Sequence, residues 1–347
     1  MTAPAAARQG SLPATALAGT LPAAAVDAVL RAALDEDAPY GDITSQTLIP
    51  ADARATAVLA ARVPGVLSGG EVFAAAMKLT DPDAAVDLLV ADGAAFAAGT
   101  ALARVSGNAR AVLLAERVAL NLVQRMSAIA TKTAEFVALV DGTGARITDT
   151  RKTTPGLRVL ERYAVRCGGG ANHRFGLSDA VLAKDNHLAV LTGGDPSKLT
   201  AVLREARARL GHTTHFEVEV DSMDQIGPVL AAGVDTIMLD NFSLAELAGG
   251  VALVAGRARV EASGNVNLAT VAGIAGTGVD VISIGGLTHS VAALDLGLDI
   301  ELGLGTGPGP GAGPGRAPGP GRSDDLGPGA GQCPATGAGQ AAGEAVP

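Results

Sequence analysis

The stretch HFEVEVDSMDQIGPVLAAGVDTIMLD, from His215 to Asp240, contains one complete strand–helix–strand repeat. Two short apolar runs, HFEVEV and DTIMLD, enclose the segment SMDQIGPVLAAG, whose apolar residues recur at helical spacing. An acidic residue stands at the end of each run, and Gly233 separates the helix from the second strand. Because two strands joined through a helix run parallel, the stretch predicts one βαβ unit of a parallel sheet.

The same repeat extends in both directions from this stretch. Further apolar runs with polar ends predict strands at 145–150, 179–186, 258–264 and 279–286. Helical spacing recurs at 197–210 and 267–278. Six such units in order favour an α/β fold in which parallel strands close into a barrel, with the ligand site at the carboxyl ends of the strands.

The preceding part of the chain follows a different pattern. The run AAVDAVLRAAL predicts a helix, and alternating runs separated by glycines, such as RATAVLAARVPGVLSG, predict short strands. This mixture is typical of an α+β domain with an antiparallel sheet. Residues 108–140 then have apolar positions three and four apart, which predicts one long helix or two shorter ones, with Asn108 as the N-cap.

The composition limits the classes of protein to consider. The 347 residues are 48% apolar, so the chain can bury a large core, and the formal net charge of −9 argues against nucleic acid or an anionic membrane as a partner. No apolar run is long enough to span a bilayer, and two cysteines are too few for a disulfide framework. We therefore expect a cytoplasmic protein. Residues 1–22 and the Gly/Pro-rich residues 303–347 are expected to form a flexible leader and a disordered tail.

A basic cluster stands out in this acidic chain. Arg151 and Lys152 follow the strand predicted at 145–150, and His173 and Arg174 come shortly before the next strand, which ends at Lys184. Arginine offers a planar fork that pairs bidentately with a carboxylate. The cationic group therefore suits a small polyanion such as a dicarboxylate or a phosphate ester.

Other polar residues of these units have a structural interpretation. Three arginines at spacing four after Pro155 predict a solvated helix face rather than a binding site: Arg158, Arg162 and Arg166. Residues of capping type that follow strands predict helix caps at Asp221, Asn241 and Asn267.

Acidic residues and glycine loops follow the later strands. Glu219 and Asp240 could hold a hydrated Mg²⁺ that enters on a phosphate group. The loops after the last two predicted strands are Ser263–Asn265 and Gly285–Gly286, with His289 nearby. Barrel phosphate sites are commonly built from these two loops, so phosphate is the anion that we expect there.

Several motifs occur in a fixed order along the chain: ERVALN, TRKTTPGLR, YAVRCGGGANHR, LAKDNH, FEVEVDS, LDN, SGN and GGLTHS. In this order they resemble quinolinate phosphoribosyltransferase, also called nicotinate-nucleotide pyrophosphorylase (carboxylating), from about residue 23 to residue 302. The resemblance implies an incomplete α/β barrel with parallel strands plus an N-terminal α+β sandwich domain. The implied divisions are 23–125 for the N-terminal domain and connecting helix, 126–288 for the catalytic barrel, and 289–302 for a segment that returns to the first domain.

The resemblance also implies an activity, ligands and site residues. The family transfers the phosphoribosyl group of phosphoribosyl pyrophosphate to quinolinate with loss of CO₂, for NAD biosynthesis, and it acts with Mg²⁺ as a homodimer or a larger homo-oligomer. Quinolinate would be surrounded by Arg151, His173, Arg174 and Lys184, and by Arg117 of the neighbouring chain. The donor and its Mg²⁺ would be held by Lys152, Glu219, Asp240, Ser263, Gly264, Asn265, Gly285 and His289. The expected catalytic residues are Lys152, Lys184, Glu219 and Asp240, of which Glu219 and Asp240 would be nearest the metal.

Three other interpretations remain open from the residues alone. A related phosphoribosyltransferase could take nicotinate or another aromatic acid, although a monocarboxylate would leave part of the cationic group unpaired. Lys184, at a strand end, could instead be the Schiff-base lysine of an aldolase. A protein that binds phosphate esters without catalysis is the third, and it does not account for acidic and basic groups on successive strand ends.

Overall fold

The computed structural model of the chain describes residues 19–301, so most of the expected leader and all of the expected tail lie outside the described residues. The N-terminal helices are α1 (Ala23–Asp37), α2 (Ile43–Leu48) and α3 (Gly70–Thr80). The strands of the same part are β1 (Arg54–Ala61), β2 (Gly65–Val66), β3 (Ala85–Leu88), β4 (Ala95–Phe96) and β5 (Ala101–Asn108).

A four-stranded sheet organises this first part. Its order is β12–β1–β5–β3, in which β12 is Leu296–Glu301 at the far end of the described chain. β1 is central and pairs antiparallel with both β5 and β12, with Ala61 opposite Leu296. The predicted α+β domain with an antiparallel sheet is confirmed. The segment that was expected to return to this domain, 289–302, contains one of its strands.

One helix, α4 (Ala109–Leu139), links the two parts of the molecule. Asn108 caps it, since its Oδ1 accepts the backbone N–H groups of Arg110 at 3.0 Å and Ala111 at 3.2 Å. Of the two predicted alternatives, the single long helix is correct. Residue 125, where the sequence analysis divided the domains, lies inside this helix. Among residues 19–301, no helix combines the length and the apolar character needed to cross a bilayer.

The second part is built from repeated strand–helix units. Its strands are β6 (Arg146–Thr148), β7 (Ala180–Ala183), β8 (His215–Val220), β9 (Thr236–Asp240), β10 (Arg259–Ser263) and β11 (Val281–Ser283). Its helices are α5 (Arg158–Cys167), α6 (Asp185–Thr192), α7 (Leu199–Ala208), α8 (Met223–Ala231), α9 (Leu244–Val254), α10 (Val271–Gly276) and α11 (Gly286–His289). A short 3₁₀ turn, Pro196–Lys198, precedes α7.

The six strands form one parallel sheet in the order β6–β11–β10–β9–β8–β7. Within residues 19–301 the two end strands, β6 and β7, are not paired with each other, and Thr148 forms a single bridge with Ala171 beside the gap. The sheet is therefore an incomplete barrel, as the resemblance implied.

Alternation along the strands separates apolar from polar side chains. In β8, Phe216 and Val218 are buried in the hydrophobic core. Glu217 and Glu219, on the opposite side of the strand, line cavities inside the barrel. Because successive side chains of a strand point to opposite faces, the polar residues of the strands collect in the barrel interior.

The predicted solvated face on α5 is wrong. Arg162 is only 8% exposed, and Arg158 and Arg166 are half-buried. Arg158 and Arg166 lie over the rings of Phe175 and Tyr163, at 6.0 and 5.7 Å from the ring centroids. Tertiary partners that the helical spacing does not reveal cover this face.

None of the three residues predicted as helix caps stands at the N-cap position of its helix, and the N-cap of α10 is Thr270. The N-cap positions of α8 and α9 are Ser222 and Ser243, each placed after the residue that the sequence analysis chose, Asp221 and Asn241 respectively. Asn267 does accept backbone N–H groups through its side chain, from Ala269 and Thr270. Asn241 lies instead in the cavity described below.

Candidate active site

A cavity of about 830 Å³ lies at the carboxyl ends of the barrel strands. The predicted site residues that line it are Arg151, Lys152, His173, Arg174, Lys184, Glu219, Asp240, Ser263, Gly264, Asn265, Gly285 and His289. The remaining predicted residue, Arg117, is exposed on α4 and does not line the cavity. These residues are far apart in sequence, and they meet because the carboxyl ends of parallel strands share one edge of the sheet.

The cationic wall of the cavity consists of Arg151, Lys152, Arg174 and Lys184. Arg174 Nη1 donates to the carbonyl oxygen of Ala180 at 3.0 Å, whereas its buried Nε has no hydrogen-bond partner among residues 19–301. Burial, together with the charge of Arg151, lowers the pKa of Arg174. A bound anion would offset the repulsion between the two guanidinium groups.

A buried ion pair supports this wall from behind. Arg162 Nη1 lies 3.1 Å from Asp149 Oδ1, and Asp149 is fully buried. Asp149 also accepts the backbone N–H of His173 at 2.8 Å and the side-chain amide of Asn172 at 2.6 Å. Arg162 donates to the carbonyl oxygens of His173 and Arg174. Burial raises the pKa of Asp149, and Arg162 opposes that rise. The pair therefore holds the segment that carries His173 and Arg174.

A second ion pair, in which the carboxylate is buried and the arginine is half-buried, holds the loop that carries Lys152. Arg125 of α4 donates from Nε to Glu161 Oε1 at 2.7 Å, and Glu161 is 1% exposed. The other oxygen of Glu161 accepts the backbone N–H of Thr154. Arg125 also donates to the carbonyl oxygen of Thr288, whose hydroxyl donates to the carbonyl oxygen of Lys152 at 2.7 Å. Contacts from the long helix thus fix the position of a cavity loop.

The acidic wall of the same cavity consists of Glu219 and Asp240, at the ends of β8 and β9. Lys184 Nζ lies 2.5 Å from Glu219 Oε2. Asp240 Oδ2 accepts the Asn241 amide at 2.7 Å, and Asn241 Oδ1 accepts the Asn265 amide at 3.0 Å. Carboxylate and amide oxygens are the hard ligands that Mg²⁺ prefers, so the donor set of this wall fits that ion.

Gly264 and Gly285, one in each glycine loop, lie close to side chains of the cavity. Gly264 has a φ of +89°, and a Cβ at this position would lie 2.1 Å from Asn241 Oδ1. A Cβ at Gly285 would lie 2.9 Å from Lys152 Cδ and 3.1 Å from His289 Nε2. The positive φ and the close backbone of Asn241 require glycine at Gly264, whereas the atoms nearest to Gly285 belong to side chains.

Glu217 and Glu261, for which the sequence motifs predict no role, meet His173 below the cavity. His173 Nε2 lies 3.2 Å from Glu217 Oε2 and 3.5 Å from Glu261 Oε1. Burial lowers the pKa of His173, but the two carboxylates outweigh this effect and raise it to about 10. Burial also raises the pKa of Glu217. A signal was present, because Glu217 and Glu261 each stand two residues before a predicted site residue and so share its face of the strand.

The fold and the site together define an α/β-barrel enzyme with a site for anionic substrates at the strand ends. Residues 129–299 match the family described as "Quinolinate phosphoribosyl transferase, C-terminal domain", and residues 42–127 match the N-terminal domain of the same family. The chain belongs to the quinolinate phosphoribosyltransferase family.

Similar proteins carry matching names. Nicotinate-nucleotide pyrophosphorylase (carboxylating) of Mycobacterium leprae is 44% identical over 280 residues, which cover 78% of this chain and 95% of that protein. The probable enzyme of the same name from Bacillus subtilis is 40% identical over 265 residues, which cover 76% of this chain and 90% of that protein. The solved structure of nicotinate-nucleotide pyrophosphorylase from Francisella tularensis superposes with a TM-score of 0.75 at 35% identity, covering 81% of this chain and 98% of that chain.

Proposed function

We propose that the protein transfers the phosphoribosyl group of phosphoribosyl pyrophosphate to quinolinate with decarboxylation, yielding nicotinate mononucleotide, pyrophosphate and CO₂. The observation that carries the proposal is the single cavity that brings the cationic and the acidic residues together, in a chain of this family. Quinolinate has two adjacent carboxylates, and the wall of Arg151, Lys152, Arg174 and Lys184 offers several cations to them.

The phosphoribosyl donor would occupy the opposite part of the cavity. Its phosphate groups suit the glycine loops at Ser263–Asn265 and Gly285–Gly286, with Lys152 and His289 beside them. Glu219 and Asp240 would hold Mg²⁺, directly or through water. When bound, the ion would neutralise charge on the pyrophosphate.

The chemistry requires orientation and charge stabilisation rather than a protein nucleophile. The quinolinate nitrogen attacks the anomeric carbon while the bond to pyrophosphate breaks, and Lys152 stabilises the departing negative charge. The ring nitrogen is then cationic. Its positive charge stabilises the electron pair that stays on the neighbouring ring carbon when the carboxylate of that carbon departs as CO₂, and a proton then adds to this carbon. The cationic wall contributes by holding the ring at the anomeric carbon in a site drier than water.

The alternatives have less support. An aldolase needs a Schiff-base amine that is free to attack a carbonyl carbon, whereas the Lys184 amine is engaged in an ion pair with Glu219. Nicotinate, with one carboxylate, would leave part of the cationic wall unpaired.

A cytoplasmic homodimer, alone or within a larger homo-oligomer, is part of the proposal. Arg117 is exposed on α4 and makes no side-chain hydrogen bond or ion pair within residues 19–301, which leaves it free to enter the cavity of a second copy. We expect Arg117→Ala and Lys184→Ala proteins to be inactive alone. After subunit exchange, their mixture should recover about a quarter of wild-type activity, because half of the dimers would contain one intact site. No recovery, with exchange confirmed, would contradict the shared site.

The test of the function is direct. Purified protein is incubated with quinolinate, phosphoribosyl pyrophosphate and Mg²⁺, and nicotinate mononucleotide and CO₂ are measured together, with nicotinate as a parallel substrate. We expect equal amounts of both products from quinolinate and none from nicotinate. Turnover of nicotinate without CO₂ would show that the protein is a phosphoribosyltransferase for nicotinate instead. No turnover of either substrate would refute the proposal.

A further inference from the structure

Arg151 and Arg174 of the cationic wall belong to two different loops. The first loop, residues 149–157, follows β6, and the second loop, residues 172–179, precedes β7. The loops leave one β-bridge side by side, and each carries a guanidinium into the cavity. Burial lowers the pKa of Arg174, and the charge of Arg151 lowers it further, so the two groups are close enough to repel each other. Contacts between the loops must therefore set their spacing.

Two arginines of α5 cross-link the loops from outside the cavity. Arg162 pairs with Asp149 at the start of the first loop. It also donates to the carbonyl oxygens of His173 and Arg174 in the second loop. Arg158 lies one turn earlier on α5 and bonds to residues further along both loops. The two side chains thus form successive links between the loops.

Arg158 uses each nitrogen of its guanidinium for a separate contact. Nε donates to the Thr153 hydroxyl of the first loop at 2.9 Å. Nη1 donates to the carbonyl oxygen of Phe175 in the second loop at 3.2 Å, and Nη2 lies 3.5 Å from the carbonyl oxygen of Arg151. The guanidinium also lies over the Phe175 ring, 6.0 Å from its centroid. A planar group with fixed donor directions therefore joins Arg151 to the residue that follows Arg174.

The Phe175 end of this link is itself held in place. The backbone N–H groups of Phe175 and Gly176 donate to the carboxylate of Asp179, at 2.5 and 2.8 Å. Phe175 thus has its N–H bound by Asp179 and its carbonyl oxygen bound by Arg158. Because the chain continues directly from Arg174 to Phe175, these bonds restrict the movement of Arg174 relative to the first loop.

We propose that Arg158 is a positioning residue that determines specificity, because it holds Arg151 and Arg174 at the spacing that fits two adjacent carboxylates. The inference rests on the proposed function, since both arginines are taken to bind quinolinate. Quinolinate carries its carboxylates on neighbouring ring carbons, so both are paired only if two cations stand at a matching separation. A ligand with one carboxylate needs one guanidinium and is insensitive to that separation. Arg158 therefore favours a dicarboxylate although it lies outside the lining of the cavity.

A purely electrostatic role for Arg158 is the competing interpretation. Its positive charge would attract any anion to the cavity, whether the anion has one carboxylate or two. The lysine variant separates the two roles. Lysine keeps the charge, but its single ammonium group cannot reproduce the planar fork that reaches Thr153 and Phe175 together.

The test measures the binding of phthalate and benzoate by calorimetry. Phthalate has the two adjacent carboxylates of quinolinate without the ring nitrogen, so it cannot react, and benzoate has one carboxylate. Arg158→Met and Arg158→Lys should each weaken phthalate binding roughly tenfold and change benzoate binding by less than about twofold. In steady-state kinetics, the KM for quinolinate should rise by a similar factor, and the KM for phosphoribosyl pyrophosphate should stay within about twofold of wild type.

The matched control is Arg204→Met. Arg204 of α7 donates from Nε and Nη2 to the carbonyl oxygen of Ala231, at 3.0 and 2.8 Å. This variant also removes hydrogen bonds between an arginine and a carbonyl oxygen, but it joins α7 to the end of α8 and not the two loops. Both affinities should stay at their wild-type values.

Three outcomes would overturn the inference. Phthalate binding that is unchanged in Arg158→Met would remove the positioning role. Equal weakening of phthalate and benzoate would show a general loss of charge or structure, and wild-type binding by Arg158→Lys would show that charge alone is sufficient.

Failure of the proposed function would look different from failure of this inference. If the wild type binds phthalate but does not turn over quinolinate, the proposed function fails, and the binding ratio of phthalate to benzoate in the variants still decides the role of Arg158. If the wild type turns over quinolinate and Arg158→Met keeps the wild-type ratio, only the inference fails.

Discussion

The two walls of the cavity are built in different ways. Most of the cationic wall stands on loops around α5, whereas Glu219 and Asp240 of the acidic wall are residues of the strands themselves. The loops rest on two ion pairs with buried carboxylates, Asp149–Arg162 and Arg125–Glu161. The strands need no such support, because the ladder of backbone hydrogen bonds already fixes their position. Charges on loops therefore depend on side chains outside the cavity, and charges on strands depend on the sheet.

The largest expected effect is the loss of a buried support. Arg162→Met would leave Asp149 buried without its charge partner and should lower the free energy of unfolding by about 3–5 kcal/mol, measured by urea denaturation. Arg158→Met, one turn earlier on α5, removes hydrogen bonds but no carboxylate partner, so it should cost only about 1 kcal/mol. Equal losses in the two variants would show that the buried pair has no special part in supporting the wall.

The next largest effect should show that the cationic wall binds quinolinate and not the phosphoribosyl donor. Arg151→Ala or Arg174→Ala should raise the KM for quinolinate tenfold or more, since one charge-assisted contact is worth roughly 1.5–3 kcal/mol. The KM for phosphoribosyl pyrophosphate should change much less, as steady-state kinetics with each substrate varied would show. Equal changes for both substrates would contradict the assignment of the cationic wall to quinolinate.

A substitution in the acidic wall should change the Mg²⁺ requirement and leave quinolinate binding unchanged. Asp240→Asn keeps the shape of the side chain but removes its charge, so the Mg²⁺ concentration for half-maximal activity should rise roughly tenfold. The quinolinate KM and the unfolding free energy should stay near their wild-type values, because the strand holds this position. A large loss of stability in this variant would contradict the proposal that charged residues on strands, unlike those on loops, need no side-chain support.

The smallest effect concerns an ion pair outside both walls. Burial raises the pKa of Asp235, but the Arg207 side chain and the Phe216 N–H outweigh it, and the pKa is lowered. A lowered carboxyl pKa gives stability that is present above the unfolded value near 3.9 and is lost as the pH falls through the folded value. Asp235→Asn should therefore cost about 1 kcal/mol at pH 7, and the difference from wild type should shrink in denaturation series taken towards pH 3.

The sequence predicted which strand-end residues lie together in the cavity, but it did not predict which buried residues hold the cavity loops in place. The predicted residues Lys184, Glu219, Asp240 and Ser263 line one cavity, because a strand followed by a helix fixes which end of each strand faces the site. Arg162 was predicted to be solvated, since spacing along a helix gives a face but not what covers it. Asn241 was predicted to be a cap, because the chemistry of an Asn side chain suits a cap and a cavity equally well.

By itself, the sequence determined the repeated strand–helix units, the antiparallel domain before them and the family to which the chain belongs. These features depend on local periodicity and on ordered motifs, both of which can be read along the chain. Only the tertiary structure decided that Glu217 and Glu261 meet His173, and that Asp149 and Arg162 form a buried pair. The physical reason is that burial and pairing arise between residues distant in sequence, whose meeting depends on how the strands and helices pack.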